Sequence, residues 1–267
     1  MKLGVSTSVY LHNNLKEAIK KIANLNFEYI ELWGEPPHLW FENIDYKYLK
    51  DIKKELQKRD LKATFHAPAH DVDLTSMNPG IRKESIKQHI KAIEIASFLE
   101  ANLMVVHTGS YYPGDKKGSE NGKNRLYKSL NKILPYAEQH DIIIALENYP
   151  VGENAIFNSP ENVKKILGDF NSKFLKITLD IGHANLTKIS AVEYLNKLKE
   201  EIVHLHINDN FGQADEHLIP GKGNIDYKKL LQTIKEINYD KIGIFELWSP
   251  ENTDQALIDS TKYVKNI

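Results

Sequence analysis

Two hydrophobic rhythms alternate along the chain. Short runs rich in Val and Ile fall at Leu3–Ser6, Tyr29–Trp33, Ala63–His66, Leu103–His107, Ile142–Glu147, Lys176–Asp180, Val203–Ile207 and Ile242–Leu247. Runs of this length and composition predict buried strands. Between them lie segments with apolar residues at i, i+3 and i+4, which predict helices. One is Leu15 to Ala23. Another is Ile81 to Leu99, which keeps Ile86, Ile90, Ile93 and Ala96 on one face. Ser159 followed by Pro160 reads as a cap and a first helical residue. Thr253 to Val264 supplies the last helix, and Gly114 to Asn124 reads as a loop. Strict alternation implies a parallel sheet. Eight strand–helix units in 267 residues predict one (β/α)8 TIM barrel spanning residues 1–267 as a single domain. A doubly wound open sheet fits less well, because Ser6-Thr7-Ser8-Val9-Tyr10 is not a Gly-rich phosphate loop.

Composition narrows the chemistry. Lys+Arg is 35 and Asp+Glu is 36, a net charge of -1, which excludes a strongly basic nucleic-acid coat protein. Cysteine is absent, which excludes a disulfide framework, a thiol nucleophile, a zinc finger and an iron–sulfur cluster. No apolar run approaches the ~18 residues of a membrane span. The first residues, Met1 to Ser8, read as a strand without a signal-peptide pattern, so a cytoplasmic protein is expected.

The 11 histidines are unevenly placed, and several fall at predicted strand ends. In a barrel those ends converge on one mouth. His66, His107, Glu147, Asp180, His183, His206, Asp215, His217 and Glu246 make nine candidate metal ligands there. Ionisable groups closing apolar strands carry a desolvation cost that a bound cation offsets. Any one strand-end histidine reads most simply as a hydrogen-bonded polar residue; the same pattern on strand after strand does not. Nine ligands suffice for two or three metals if a carboxylate bridges. Mixed nitrogen and oxygen ligands suit zinc, up to three ions, or manganese, and no organic cofactor is indicated. His204 precedes His206 by two residues, so it points the same way one layer deeper. His12, His38 and His70 fall on loops near the mouth, while His89 and His140 fall on helices and read as surface positions.

These motifs resemble the xylose isomerase-like barrels, a superfamily that includes endonuclease IV (AP endonuclease family 2) and sugar isomerases and epimerases. The resemblance rests on Leu205-His206-Ile207-Asn208-Asp209, then Asp215-Glu216-His217, then Gly221-Lys222-Gly223-Asn224-Ile225. Leu179-Asp180-Ile181-Gly182-His183 and Leu146-Glu147-Asn148 add to it. By resemblance to endonuclease IV, His66, His107 and Glu147 would hold a first metal. Glu147 as a bridge, Asp180, His206 and Glu246 would hold a second. His183, Asp215 and His217 would hold a third. In the sugar epimerase branch only Glu147, Asp180, His206 and Glu246 form the metal site, and the two glutamates move protons. The chain departs from endonuclease IV in its DNA-reading loops, at Ala67-Pro68-Ala69-His70-Asp71 and at Tyr149-Pro150-Val151.

Two enzyme readings follow. The ligand count favours a metal-dependent phosphoester hydrolase acting on abasic DNA. Glu147 would then help place a hydroxide, Lys222 would contact a phosphate, and Arg82, Lys83, Lys116, Lys117, Lys123 and Arg125 would line a basic rim. A solvated loop position is the plainer reading of Lys222. The alternative is a sugar or sugar-phosphate isomerase or epimerase, with Glu147 and Glu246 as the proton-transfer pair. Trp33, Trp248, Tyr111 and Tyr112 would then stack on a sugar ring, although each also suits rim packing.

Overall fold

The computed structural model describes residues 1–42, 44–109, 117–148, 156–157, 159–187, 189–248 and 251–266. Eight parallel strands close on themselves in chain order. They are β1 (Lys2–Ser6), β2 (Tyr29–Trp33), β3 (Lys62–His66), β4 (Leu103–His107), β5 (Ile143–Glu147), β6 (Leu175–Asp180), β7 (Ile202–Ile207) and β8 (Ile242–Phe245). The helices around them are α1 (Leu15–Asn24), α2 (Tyr46–Lys58), α3 (Pro79–Phe98), α4 (Gly118–Gln139), α5 (Pro160–Phe170), α6 (Ile181–Leu186), α7 (Ala191–Leu198), α8 (Tyr227–Glu236) and α9 (Thr253–Asn266). The (β/α)8 barrel read from the sequence is the fold.

Side chains that can accept a backbone N–H start most of the helices, as helix ends require. Asn14, Asp45, Asn78, Ser159 and Ser190 cap α1, α2, α3, α5 and α7. Pro160 stands in the first turn of α5, as its sequence indicates. Gly118 to Asn124 is helical rather than loop, because α4 begins at Gly118; residues 114–116 lie outside the described residues. Among the described residues, no helix is long and apolar enough to cross a membrane.

Register sets which side chains meet at the mouth. Trp33 pairs with His66, His107 with Glu147, and Asp180 with His206. The β6–β7 pairing slips once, so Ile177 and Thr178 face Ile202 and His204 and Val203 is the extra residue. Val203 packs on the inner apolar cluster of Leu103, Val105 and Ala145. Its neighbour His204 also faces inward, reaching Glu31 across the barrel. Adjacent residues of a regular strand face opposite sides, so the bulge is what turns both inward.

Two histidines read as loop or surface positions are buried instead. His38 is 2% exposed and braces the first turn, with Nδ1 3.1 Å from Thr7 Oγ1 and Nε2 3.2 Å from the Asn13 carbonyl. His89 is also 2% exposed, and its Nδ1 donates to the Ser85 carbonyl at 2.7 Å. The helical period assigns His89 to α3 but cannot show that its turn faces the barrel. His12 is exposed and His140 lies half-buried at the end of α4.

Candidate active site

A cavity of about 430 Å³ opens at the C-terminal mouth. His66, His107, Glu147, His183, Asp215, His217 and Glu246 line it, with Trp33 and Trp248 in its walls. Asp180 and His206 are fully buried at its floor. The predicted ligands therefore assemble in one place, although they come from β3 to β7, from α6, from the loop after β7 and from the residue after β8.

Three groups form within this set. His66, His107 and Glu147 lie together, as do Glu147, Asp180, His206 and Glu246; in each group the ligand atoms lie within 4.8 Å of one another. Asp180, His183 and His217 form the third, and Asp215 bridges its two histidines, 3.2 Å from each Nε2. Glu147 is shared between the first two groups. Its Oε1 lies 2.9 Å from His206 Nδ1 and its Oε2 lies 2.9 Å from His107 Nε2. Glu246 Oε2 reaches His206 Nδ1 at 3.1 Å.

Backbone partners orient these groups. Asp180 caps α6, its Oδ1 accepting from the His183 N–H at 2.6 Å, while Oδ2 accepts from Asn208 Nδ2 at 2.8 Å. Asn148 brackets the Asp180 backbone, accepting its N–H at 2.7 Å and donating to its carbonyl at 2.9 Å. Gly182 is required here, because a Cβ would lie 1.9 Å from Asn208 Oδ1.

The histidine tautomers test whether a metal fits. A carbonyl or carboxylate only accepts, so the ring nitrogen facing it must carry the proton. His66 Nδ1 faces the Ala67 carbonyl, His183 Nδ1 faces that of Asn148, and His217 Nδ1 faces that of Glu246, at 2.8, 2.8 and 3.0 Å. Each Nε2 is thereby left with a lone pair, yet each points at a carboxylate. His206 faces carboxylates on both sides, Nε2 3.1 Å from Glu31 Oε1 and Nδ1 2.9 Å from Glu147 Oε1. Lone pairs facing carboxylates need either a second proton on each ring or a shared cation. Without a cation the rings hold that proton strongly. Burial pushes His183 down, but Asp180, Asp215 and Glu147 outweigh it and raise it to about 10. Burial likewise lowers His217, and Asp215, Glu246 and Asp180 raise it to about 9. Burial pushes Glu147 up, while His206 and His107 hold its carboxyl well below the usual range. This donor set, with backbone-oriented imidazoles and shared carboxylates, fits divalent metal.

Other sequence-derived positions divide. Trp248 stacks on His217 with centroids 4.2 Å apart, and Trp33 lies 4.6 Å from the His66 ring. Tyr111, Tyr112 and Lys116 lie outside the described residues. Lys222 is exposed and does not line the cavity. Its glycine-rich segment wraps the Asp209 carboxylate instead, which accepts from the N–H groups of Asn210, Gly221 and Ile225. A Cβ on Gly223 would lie 2.3 Å from Asp209 Oδ1, so close approach explains that glycine. The basic rim is largely engaged internally. Arg82 donates to the Ser76 carbonyl, Arg125 to that of Thr75 at 2.6 Å, and Lys123 to Asn162 Oδ1 at 3.0 Å.

Two buried acids escaped the sequence reading. Glu31 on β2 is fully buried and lies between His204 and His206. Glu35 accepts from the N–H groups of Ala69 and His70 at 2.6 and 2.7 Å and pairs with the His70 ring. The available signal was an acid inside an apolar run, Tyr29-Ile30-Glu31-Leu32-Trp33.

The barrel, with its candidate metal ligands at the mouth, defines a class, that of TIM-barrel enzymes. The chain belongs to the xylose isomerase-like TIM barrel family, which matches residues 19–267. An uncharacterized protein of Methanocaldococcus jannaschii is 37% identical over 91% of this chain and 82% of its own length. The crystal structure of a D-tagatose 3-epimerase-like protein is 32% identical with a TM-score of 0.87, over 100% of this chain and 99% of that one. Fructoselysine 3-epimerase of Shigella flexneri is 24% identical over 92% of this chain and 90% of its own. A probable endonuclease 4 of Thermosipho africanus is 28% identical over 79% of each.

Proposed function

We propose that the chain is a divalent-metal-dependent ketose epimerase or isomerase. The observation that carries this is the Glu147, Asp180, His206 and Glu246 group, with ligand atoms within 4.8 Å of one another, at the base of a cavity walled by Trp33 and Trp248. The ligand count alone put phosphoester hydrolysis first. The relatives reverse that order, because the named ones that cover more of the chain are epimerases.

Those four residues would hold one zinc or manganese ion, which when bound polarises a carbonyl and its neighbouring hydroxyl. Glu147 ends β5 and Glu246 follows β8, so they approach the cavity from different sides of the barrel. One carboxylate takes the proton from the carbon beside the carbonyl. The other returns a proton to the opposite face, which inverts that carbon. Trp33 and Trp248 hold the sugar and exclude water. His66, His107, His183 and His217 present ring nitrogens to its hydroxyls.

The test is incubation of zinc- or manganese-loaded protein with ketohexoses in D2O. The expected result is a C3 epimer carrying solvent deuterium at the inverted carbon. Unchanged sugars, with stoichiometric metal bound, would overturn the reading. A second reading, phosphodiester hydrolysis, keeps one observation: the three ligand groups exceed what one epimerisation metal needs. It is tested by incision of an abasic-site duplex, with the Asp215→Ala/His217→Ala double variant as control.

A further inference from the structure

His206 is oriented differently from His66, His183 and His217. The proton-bearing nitrogens of His66, His183 and His217 face neutral backbone carbonyls. His206 has a carboxylate at each nitrogen instead: Nε2 lies 3.1 Å from Glu31 Oε1 and Nδ1 2.9 Å from Glu147 Oε1. Glu31 comes from β2 and His206 from β7, so the contact spans the barrel interior. The second oxygen, Glu31 Oε2, lies 3.2 Å from His204 Nε2. All three residues are fully buried, and among the described residues no lysine or arginine takes part in the contacts that hold them.

We infer that Glu31 is a positioning residue that fixes His206 as its Nε2–H tautomer, with Nδ1 turned to the shared metal position, and that His204 holds Glu31 in place. Donors and acceptors around the ring require this tautomer. His206 Nδ1 lies 2.9 Å from Glu147 Oε1, 3.1 Å from Glu246 Oε2 and 3.6 Å from Asp180 Oδ2, at the centre of the four-residue group. A ligand nitrogen there must be unprotonated, so the ring's one proton belongs on Nε2. Only an acceptor can hold it there, and Glu31 is that acceptor. A negative acceptor also makes the ring a stronger donor to metal than a carbonyl would, as outer carboxylates do behind ligating histidines. His206 is the single imidazole of the four-residue group, so its orientation bears on metal affinity more than that of any histidine outside it.

This inference rests on the metal reading above, and its experiment separates the two. The first arm uses the parent protein loaded with zinc and labelled with 15N-histidine. Long-range proton–nitrogen spectra are expected to show His206 protonated at Nε2, with Nδ1 shifted by the metal. The second arm is Glu31→Gln, which keeps the shape but can also donate to the ring. Its zinc dissociation constant is expected to rise about 10- to 100-fold. His204→Gln, which replaces the ring that holds Glu31 but keeps the Glu31 carboxylate itself, should weaken zinc less. Zinc bound in the parent with His206 protonated at Nδ1 would overturn the inference alone, whatever the variants do. Unchanged zinc affinity and unchanged His206 resonances in Glu31→Gln would also overturn it. A parent that binds no zinc would overturn both it and the metal reading.

Discussion

The inner face of the barrel changes character over three residues of the same strand. On β4 the inward series runs Leu103, Val105, His107, and on β5 it runs Ile143, Ala145, Glu147. The lower members form a buried apolar cluster that Val203 completes. The upper members are ionisable and meet as His107 and Glu147, 2.9 Å apart. The outward series on the same strands, Met104 and Val106 or Ile144 and Leu146, belongs to the larger core against the helices. Period-2 geometry makes this possible, since each strand carries one inner and one outer series. The lower cluster stabilises the barrel by burial. The upper layer concentrates carboxylate oxygens and imidazole nitrogens in groups that could hold a cation. One set of strands therefore supplies both a rigid base and a reactive rim.

This contrast is open to direct attack. The largest effect is expected at the rim. Glu147→Gln and Glu246→Gln should each lower kcat for ketose epimerisation by about 10²- to 10⁴-fold, the usual worth of a positioned acid or base. Circular dichroism should show the fold retained. Loss of turnover in only one of the two would break the two-base mechanism.

Next in size is the base. Leu103→Ala should destabilise the protein by about 2–5 kcal/mol in denaturant titrations, as buried Leu truncations do. The KM of folded protein should stay unchanged. A change in KM without loss of stability would show that base and rim are not separable.

A pH series sharpens the comparison further. His183 and His217 rise from 6.5 to about 10 and about 9 in the metal-free protein. A raised histidine adds stability that is complete below its unfolded value and fades as pH climbs through the folded one. Melting temperatures in chelator should therefore fall from about pH 6.5 toward pH 10. Zinc-loaded protein should resist that fall, because metal affinity grows as the ligands lose protons. Parallel curves with and without zinc would count against a metal bound beside these histidines.

The smallest effect belongs to the wall. Trp248 is 53% exposed and stacks on His217 at 4.2 Å. Trp248→Ala should raise KM about 3- to 10-fold, the scale of one lost aromatic contact. Turnover at saturating sugar should hold.

Much of the architecture was legible because it is local. Eight apolar runs separated by amphipathic segments encode the barrel, and the strand ends match the predicted ones within two residues. His66, His107, Glu147, Asp180, His206 and Glu246 were legible for a related reason: an ionisable residue that closes an apolar strand lands at the mouth of any barrel, whereas His183, Asp215 and His217 lie beyond the strands and were legible from their motifs. Other assignments were not local. Whether Gly118 to Asn124 begins a helix depends on how α4 packs, with Leu126 and Leu130 buried behind it. Whether His89 is buried depends on which side of α3 meets the barrel. Lys222 had the spacing of a phosphate contact, but its turn is built around Asp209 and carries the side chain out to solvent.

The sequence by itself determined the order of strands and helices, and which side chains would crown the strands, because both follow from periodicities of two and 3.6 residues. Only the tertiary structure decided which carboxylate faces which imidazole. Glu31 and His206 are far apart in the chain, and no local pattern links them. Their contact exists because eight strands close in one register, because a bulge at Val203 turns His204 and His206 inward, and because a buried acid must find a partner within reach.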